Sequence, residues 1–124
     1  MEKKIAVILG DGIGPEVTQQ SIKVLNTIAK YYNHAFSYEH AIMGACAIDE
    51  TGNPLPDETI KTCMASDAIL FGAIGDPKYD NDPTAKVRPE QGLLKLRKEL
   101  QLFANIRPVK TYTSLQHLSP LKSK

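Results

Sequence analysis

In the stretch RPEQGLLKLRKELQLFANIRP, residues 88–108, one arginine lies within a helical pattern and another lies beyond it. At about 3.6 residues per turn, Glu90, Leu93, Leu94 and Arg97 recur at helical spacing, so one face carries a carboxylate, two branched apolar groups and a guanidinium. Leu93, Leu96 and Leu100 form a purely apolar stripe beside it. Such a stripe docks a helix on a core, which leaves Leu94 and Arg97 free for other work. Arg107 precedes Pro108 and is therefore expected on extended backbone, from which it can point back toward the helix. Two converging guanidiniums suit a small dicarboxylate, because each presents a planar fork of donors and stays charged. The same residues also read as the solvated side of a helix (Lys95, Arg97, Lys98) and a strand-edge charge (Arg107).

Other candidate groups are weaker. Gly10-Asp11-Gly12-Ile13-Gly14-Pro15 lacks the G-x-G-x-x-G spacing of a dinucleotide fingerprint and the G-K-[ST] of a P-loop. It still offers a helix N-terminus at the end of a strand, where open α/β sheets bind ligands. His34, His40 and His117 have no metal-ligand spacing. Asp76, Asp80 and Asp82 suit a hard cation in principle, yet without a calcium loop and its closing glutamate they read as a polar turn.

The elements that would position these groups follow an α/β order. Ile5 to Leu9 is a continuous apolar run ending in glycine, the pattern of a strand covered on both faces. A helix is expected from about Pro15 to Tyr31, with Val17, Ser21, Val24, Leu25, Ile28 and Tyr32 at helical spacing. Phe36 to Met43 alternates as a second strand closed by Gly44. Gly52 to Pro56 reads as a loop and Asp57 opens a short helix. Ala68 to Ala73 is a third strand, apolar enough to be central. The segment 72–89 holds two glycines, three prolines and three aspartates in eighteen residues, so no regular structure is expected there. It is either a ligand-bearing loop or a surface connection. The helical pattern of residues 93–100 lies between turn residues Pro89 and Gly92 and a later extended run.

Composition limits the partners. The 124 residues suffice for one domain, and 15 basic against 14 acidic side chains give a net charge of +1. No global field favours nucleic acid or an anionic membrane. Cys46 and Cys63 form no C-x-x-C pair and are expected as buried, reduced thiols. The apolar runs are too short for an export signal or a membrane span, so a soluble, cytoplasmic protein is expected.

Six blocks together carry a resemblance: Gly10 to Glu16, Gly44 to Asp49, Gly75 to Asp80, Arg88 through Arg97, Phe103 to Pro108, and Leu118 to Lys122. In this order they resemble the 3-isopropylmalate dehydrogenases of the isocitrate/isopropylmalate dehydrogenase family. The resemblance implies the family's own α/β fold, a parallel-rich sheet with covering helices, here incomplete. Residues 1–102 would be the N-terminal part of the first, cofactor-side domain, and 103–124 the start of a second, truncated one. It implies NAD-dependent oxidation and decarboxylation of 3-isopropylmalate to 2-oxoisocaproate in leucine biosynthesis. Arg97 and Arg107 would bind the malate carboxylates, and Leu93 and Leu94 would border the isopropyl group. Glu90 would lie near the nicotinamide ribose, Gly75, Asp76 and Pro77 would line the cofactor site, and Ile13 would approach the adenosine side.

Asp76 stands where many members have a second glycine. Family members continue well past Lys124, and that continuation supplies a third substrate arginine, the proton-transfer tyrosine and lysine, and the aspartates that hold Mg²⁺ or Mn²⁺. No catalytic or metal-binding residue is therefore assigned in this chain, and a homodimer is expected of the complete enzyme only. Relatives acting on isocitrate, homoisocitrate or tartrate are the neighbouring alternative; the apolar helix face favours isopropylmalate. A free-standing dicarboxylate- or nucleotide-binding module is the alternative of another class. An end inside a family motif favours an incomplete enzyme instead.

Overall fold

The computed structural model of the chain describes residues 1–120. Three parallel strands form one sheet in the order β2-β1-β3, with β1 at Glu2–Gly10, β2 at Ala35–Ala41 and β3 at Ala68–Ala73. The run Ile5 to Ile8 is buried throughout, as expected of a strand covered on both faces. Among the described residues it is therefore β1 that is central. The apolar β3 lies at an edge, with Ile69 and Phe71 only partly buried against the core.

Helix α1, Gly14–Tyr31, makes the crossover from β1 to β2 and packs on the sheet. The face it turns inward is not the large-apolar row expected from the sequence. Gly14, Thr18 and Ala29 are the buried positions, while Val17, Val24, Ile28 and Tyr32 are exposed. Small side chains win because the helix runs very close to the strands. A Cβ on Gly14 would stand 2.2 Å from the Leu9 carbonyl oxygen, and one on Gly72 would stand 2.8 Å from Thr18 Oγ1.

Two short helices join β2 to β3. One is α3, Asp57–Met64, tied to the end of β2 by the Thr59 hydroxyl, which donates to the Ile42 carbonyl at 2.7 Å. The other is α2, Ala45–Thr51, which no capping signal in the sequence announced; its flanking Gly44 has no side chain to cap it. The start of β3 is fixed by Asp67, whose carboxylate accepts from the Lys4 amide at 2.8 Å and the Lys3 ammonium at 2.6 Å.

The segment expected to be wholly irregular contains one helical turn, α4 at Pro77–Asp80. Pro77 stands in its first turn, where its missing N–H costs nothing, and Asp76 caps it by accepting from the Lys78 amide at 2.9 Å. Helix α5, Pro89–Glu99, starts at Pro89, and Gly92 lies within it rather than at a turn. The reason is contact: a Cβ on Gly92 would stand 2.7 Å from the Pro54 carbonyl oxygen.

The core on one sheet face joins Ala6, Ile8, Met43, Leu55, Cys63 and Leu96. Leu93 and Leu100 pack partly against it, so the expected apolar stripe is the docking face of α5. Cys63 is buried there, but Cys46 is exposed, contrary to the expectation for both thiols. Beyond α5 the expected extended run is irregular and exposed, followed by a short 3-10 helix at Thr113–Leu118. Phe103, Ile106 and Val109 stand almost fully in solvent. Leu121 and Lys122 of the last sequence block lie outside the described residues.

Candidate functional site

The carboxyl ends of β1 and β3 open onto a cluster of turns. Residues 10–14, the start of α2, residues 74–76 and the first turn of α5 meet there. Their organising group is Asp11, which is 6% exposed. Its amide donates to the Ala73 carbonyl at 2.7 Å, and its own carbonyl accepts from the Gly14 amide at 2.8 Å. Its Oδ2 accepts from the amides of Ala45 at 2.8 Å and Gly75 at 3.0 Å, and its Oδ1 from the amide of Cys46 at 3.0 Å. An aspartate distant in sequence thus supplies the N-terminal cap that α2 lacks locally. Gly44 has to be glycine, because its φ is +96° and a Cβ would stand 2.3 Å from Asp11 Oδ2.

Gly75, at φ +129°, lies beneath α5: a Cβ there would meet Glu90 Oε1 at 3.2 Å. The fold thus brings Gly75 and Glu90 together. Asp76 faces its own turn as the cap of α4, and Pro77 is exposed beside it. On the far side of this loop, Lys78 pairs with Asp49 of α2, and the Tyr79 hydroxyl donates to Asp49 Oδ1 at 2.8 Å. The hydrogen bond from Lys78, then that from Tyr79, holds the Asp49 carboxyl below the usual carboxylate range. The same bonds to Asp49 push Lys78 and Tyr79 up. Ile13, at the start of α1, is 69% exposed.

Along α5, Leu94 is 65% exposed and Arg97 is exposed one turn further on, whereas Leu93 leans into the core. Arg97 borders a cavity of about 420 Å³ with Leu102, Phe103, Asn105 and Ile106. Among the described residues Arg97 forms no ion pair, so its guanidinium is open to an anion. Arg107 lies on the exposed irregular stretch next to Ile106 and is not itself in the wall of that cavity.

A larger cavity of about 620 Å³ lies at the carboxyl ends of β1 and β2, with Leu9, Pro15, Ile42 and Cys46 in its wall. None of the residues expected to bind substrate or cofactor lines it, although Gly10, Pro15 and His40 of the weaker candidate groups do. Although the Cys46 residue is exposed overall, partial burial around its thiol, followed by the Asp11 carboxylate, pushes that thiol up. Among the described residues no three His, Cys, Asp or Glu side chains gather as a metal-binding group, and no helix is long and apolar enough to cross a membrane.

Sequence reasoning missed Asp11 and Asp49. The signal for Asp11 was one acidic residue inside a glycine turn, read only for its glycines. Asp49 left no local signal, because its partners are about thirty positions away.

The chain is 58% identical over 123 residues to a 3-isopropylmalate dehydrogenase of Bacteroides fragilis, covering 99% of this chain and 35% of that protein. It is 56% identical over 119 residues to one from Aquifex aeolicus, covering 96% and 32%. It spans about a third of the length of the curated relatives it matches. Among solved structures it is similar to a beta-decarboxylating dehydrogenase from Thermococcus kodakarensis, at TM-score 0.63 and 35% identity over 81% of this chain and 27% of that one. An isocitrate dehydrogenase from Methylococcus capsulatus aligns at TM-score 0.61 and 26% identity, over 80% of this chain and 26% of that one. The family model for isocitrate/isopropylmalate dehydrogenase matches residues 4–124, and the chain belongs to that family.

Proposed function

We propose that this chain carries the N-terminal part of the site of an NAD-dependent 3-isopropylmalate dehydrogenase, acting in leucine biosynthesis. The observation that carries the reading is the solvent face of α5, where an exposed leucine and an arginine with no ion pair among the described residues follow a glutamate lying over Gly75. Relatives sharing 51–58% of the sequence bear that enzyme's name.

In this reading Arg97 grips one substrate carboxylate, and Leu94, flanked by Leu93, packs against the isopropyl branch. Arg107 grips the second carboxylate once residues 103–112 fold back over α5. Glu90 accepts from a ribose hydroxyl, the Gly75-Asp76-Pro77 turn borders the nicotinamide half of the cofactor, and exposed Ile13 borders its adenosine half. The residues present fit a nucleotide edge, since Gly75 has no side chain to intrude and Glu90 offers an acceptor there. NAD, when bound, supplies the hydride acceptor. They do not fit a Mg²⁺ or Mn²⁺ site, because no donor cluster forms among the described residues. No step is therefore assigned to a metal here. Residues 1–102 belong to the cofactor-side domain and 103–124 begin the next. The complete enzyme works as a cytoplasmic homodimer.

The test joins residues 1–124 to the remaining two thirds of the Bacteroides fragilis relative. NADH formation is then measured with 3-isopropylmalate, isocitrate, homoisocitrate and tartrate. Preference for 3-isopropylmalate is expected, and preference for another substrate would sink the proposal. Residues 1–124 alone are expected to give no turnover with Mg²⁺ present. Measurable NADH formation by that chain would refute the division of the site proposed here.

A further inference from the structure

We infer that Asp11 is the positioning residue of this edge: its single carboxylate fixes the start of α2 and the Gly75 turn against the glycine turn at the same time. The description of Gly75 as a cofactor-facing turn rests on the function proposed above. The latch itself does not.

Asp11 is nearly buried, and none of the ion pairs among the described residues includes it. A buried carboxylate without a cation is tolerable only if its oxygens are filled by donors. Three backbone N–H groups fill them, two from the first turn of α2 and one from Gly75. An ionised carboxylate only accepts, so it matches a site made solely of N–H groups. The partial positive charge at the start of α2 adds to the match. The result is mechanical coupling. Ile13 stands two residues after Asp11, and Gly75 lies beneath Glu90, so both halves of the proposed nucleotide edge hang on one side chain.

The geometry makes asparagine a discriminating substitution. Its carbonyl oxygen can serve the Oδ2 position, which holds Ala45 and Gly75, but its NH₂ then faces the Cys46 amide, donor against donor. Alanine serves none of the three. Removing the charge also acts on the Cys46 thiol, which Asp11 disfavours as thiolate. The other titratable side chains on that cavity wall, His40, Glu50 and Glu58, are the same in every variant.

The experiment uses residues 1–124 unsubstituted, as Asp11→Asn and as Asp11→Ala. It reads amide exchange by NMR and the pH profile of Cys46 alkylation by iodoacetamide, located by mass spectrometry. In Asp11→Asn, exchange at Cys46 is expected to accelerate about tenfold or more while Ala45 and Gly75 stay protected. In Asp11→Ala all three accelerate. The alkylation midpoint should fall to lower pH in both variants, because both remove the carboxylate charge beside the thiol. A Cys46 amide that stays protected in Asp11→Asn overturns the inference. So does an unmoved alkylation midpoint, or an unsubstituted chain in which the three amides are already unprotected. Neither readout involves nucleotide or substrate, so failure of the dehydrogenase reading and failure of the latch are separable.

Discussion

Gly92→Ala sets two well-understood effects against each other, and the structure decides the sign. In the middle of a helix, alanine is favoured over glycine by about 1 kcal/mol. An exposed glycine of α5 replaced by alanine would therefore stabilise the chain. At position 92, however, the new Cβ would stand 2.7 Å from the Pro54 carbonyl oxygen, 3.1 Å from its carbon and 3.2 Å from its Cβ. The oxygen cannot retreat freely, because it accepts from the Gly44 amide at 2.9 Å. Forcing a methyl group into such a contact costs about 1–3 kcal/mol, and the rigidity of a backbone neighbour puts this case at the upper end. The net expectation is destabilisation by about 1–2 kcal/mol, or a fall in melting temperature of about 3–8 °C. Thermal unfolding of residues 1–124 followed by circular dichroism checks it, with the exposed Lys98→Ala as a control for helix propensity. A melting temperature raised by Gly92→Ala would mean that α5 does not rest on Pro54, and the placement of Leu94 and Arg97 would fall with it.

Further outcomes are expected at α5 and at the Asp49 cluster. In the joined enzyme, Leu94→Ser should lower the preference for isopropylmalate over malate by about ten- to two-hundredfold in kcat/KM with little loss of stability. Leu96→Ala should instead cost about 2–5 kcal/mol in urea unfolding; equal losses at both positions would refute the two faces of α5. Arg97→Lys keeps the charge but loses the planar fork, so kcat/KM should fall at least about tenfold at an unchanged melting temperature, and an unchanged kcat/KM would make Arg97 a plain surface charge. The Asp49 carboxyl is depressed, so its share of the clasp is present above its unfolded pKa and is lost as pH falls through the folded one. Lys78 and Tyr79 are raised, so their shares are present below their unfolded values and lost as pH rises through the folded ones. Asp49→Asn should bring the Tyr79 ionisation, read by phenolate absorbance, back down toward the ordinary tyrosine value, and an unmoved titration would dissolve the clasp.

Periodicity made the sheet and the docking stripe of α5 legible, because burial selects residue type strongly. The run Ile5 to Ile8 and the trio Leu93, Leu96 and Leu100 are such cases. The inward face of α1 was not legible, since Gly14, Thr18 and Ala29 are buried for closeness to the strands and not for hydrophobicity. Helix α2 escaped notice for a related reason: its cap is Asp11, thirty-four positions upstream of Ala45. The central place given to β3 came from its composition, but composition reports which faces are covered and not which strands flank it. Candidate residues on α5 followed from spacing, whereas Asp11 and Asp49 depend on contacts that no local pattern encodes.

The glycine turn shows why its fingerprint fails. Gly10 is not a phosphate cradle: a Cβ there would stand 1.9 Å from the Ala73 carbonyl oxygen, and one on Gly14 would stand 2.9 Å from the Ala73 amide nitrogen. Both glycines are used to let the turn cross the end of β3. Gly12 alone, between them, has nothing within 4 Å of its virtual Cβ. In the function proposed above, a ligand at this edge meets Gly12 and Ile13, while the amides of Ala45, Cys46 and Gly75 already belong to Asp11. The chain has filled its nearest anion-binding position with its own carboxylate. In the function proposed above, what is left for a bound molecule is an apolar contact at Ile13, an acceptor at Glu90 and the Arg97 guanidinium, which has no ion pair among the described residues. That combination suits a hydroxyl-bearing nucleotide beside a carboxylate substrate better than it suits a phosphate held by backbone alone.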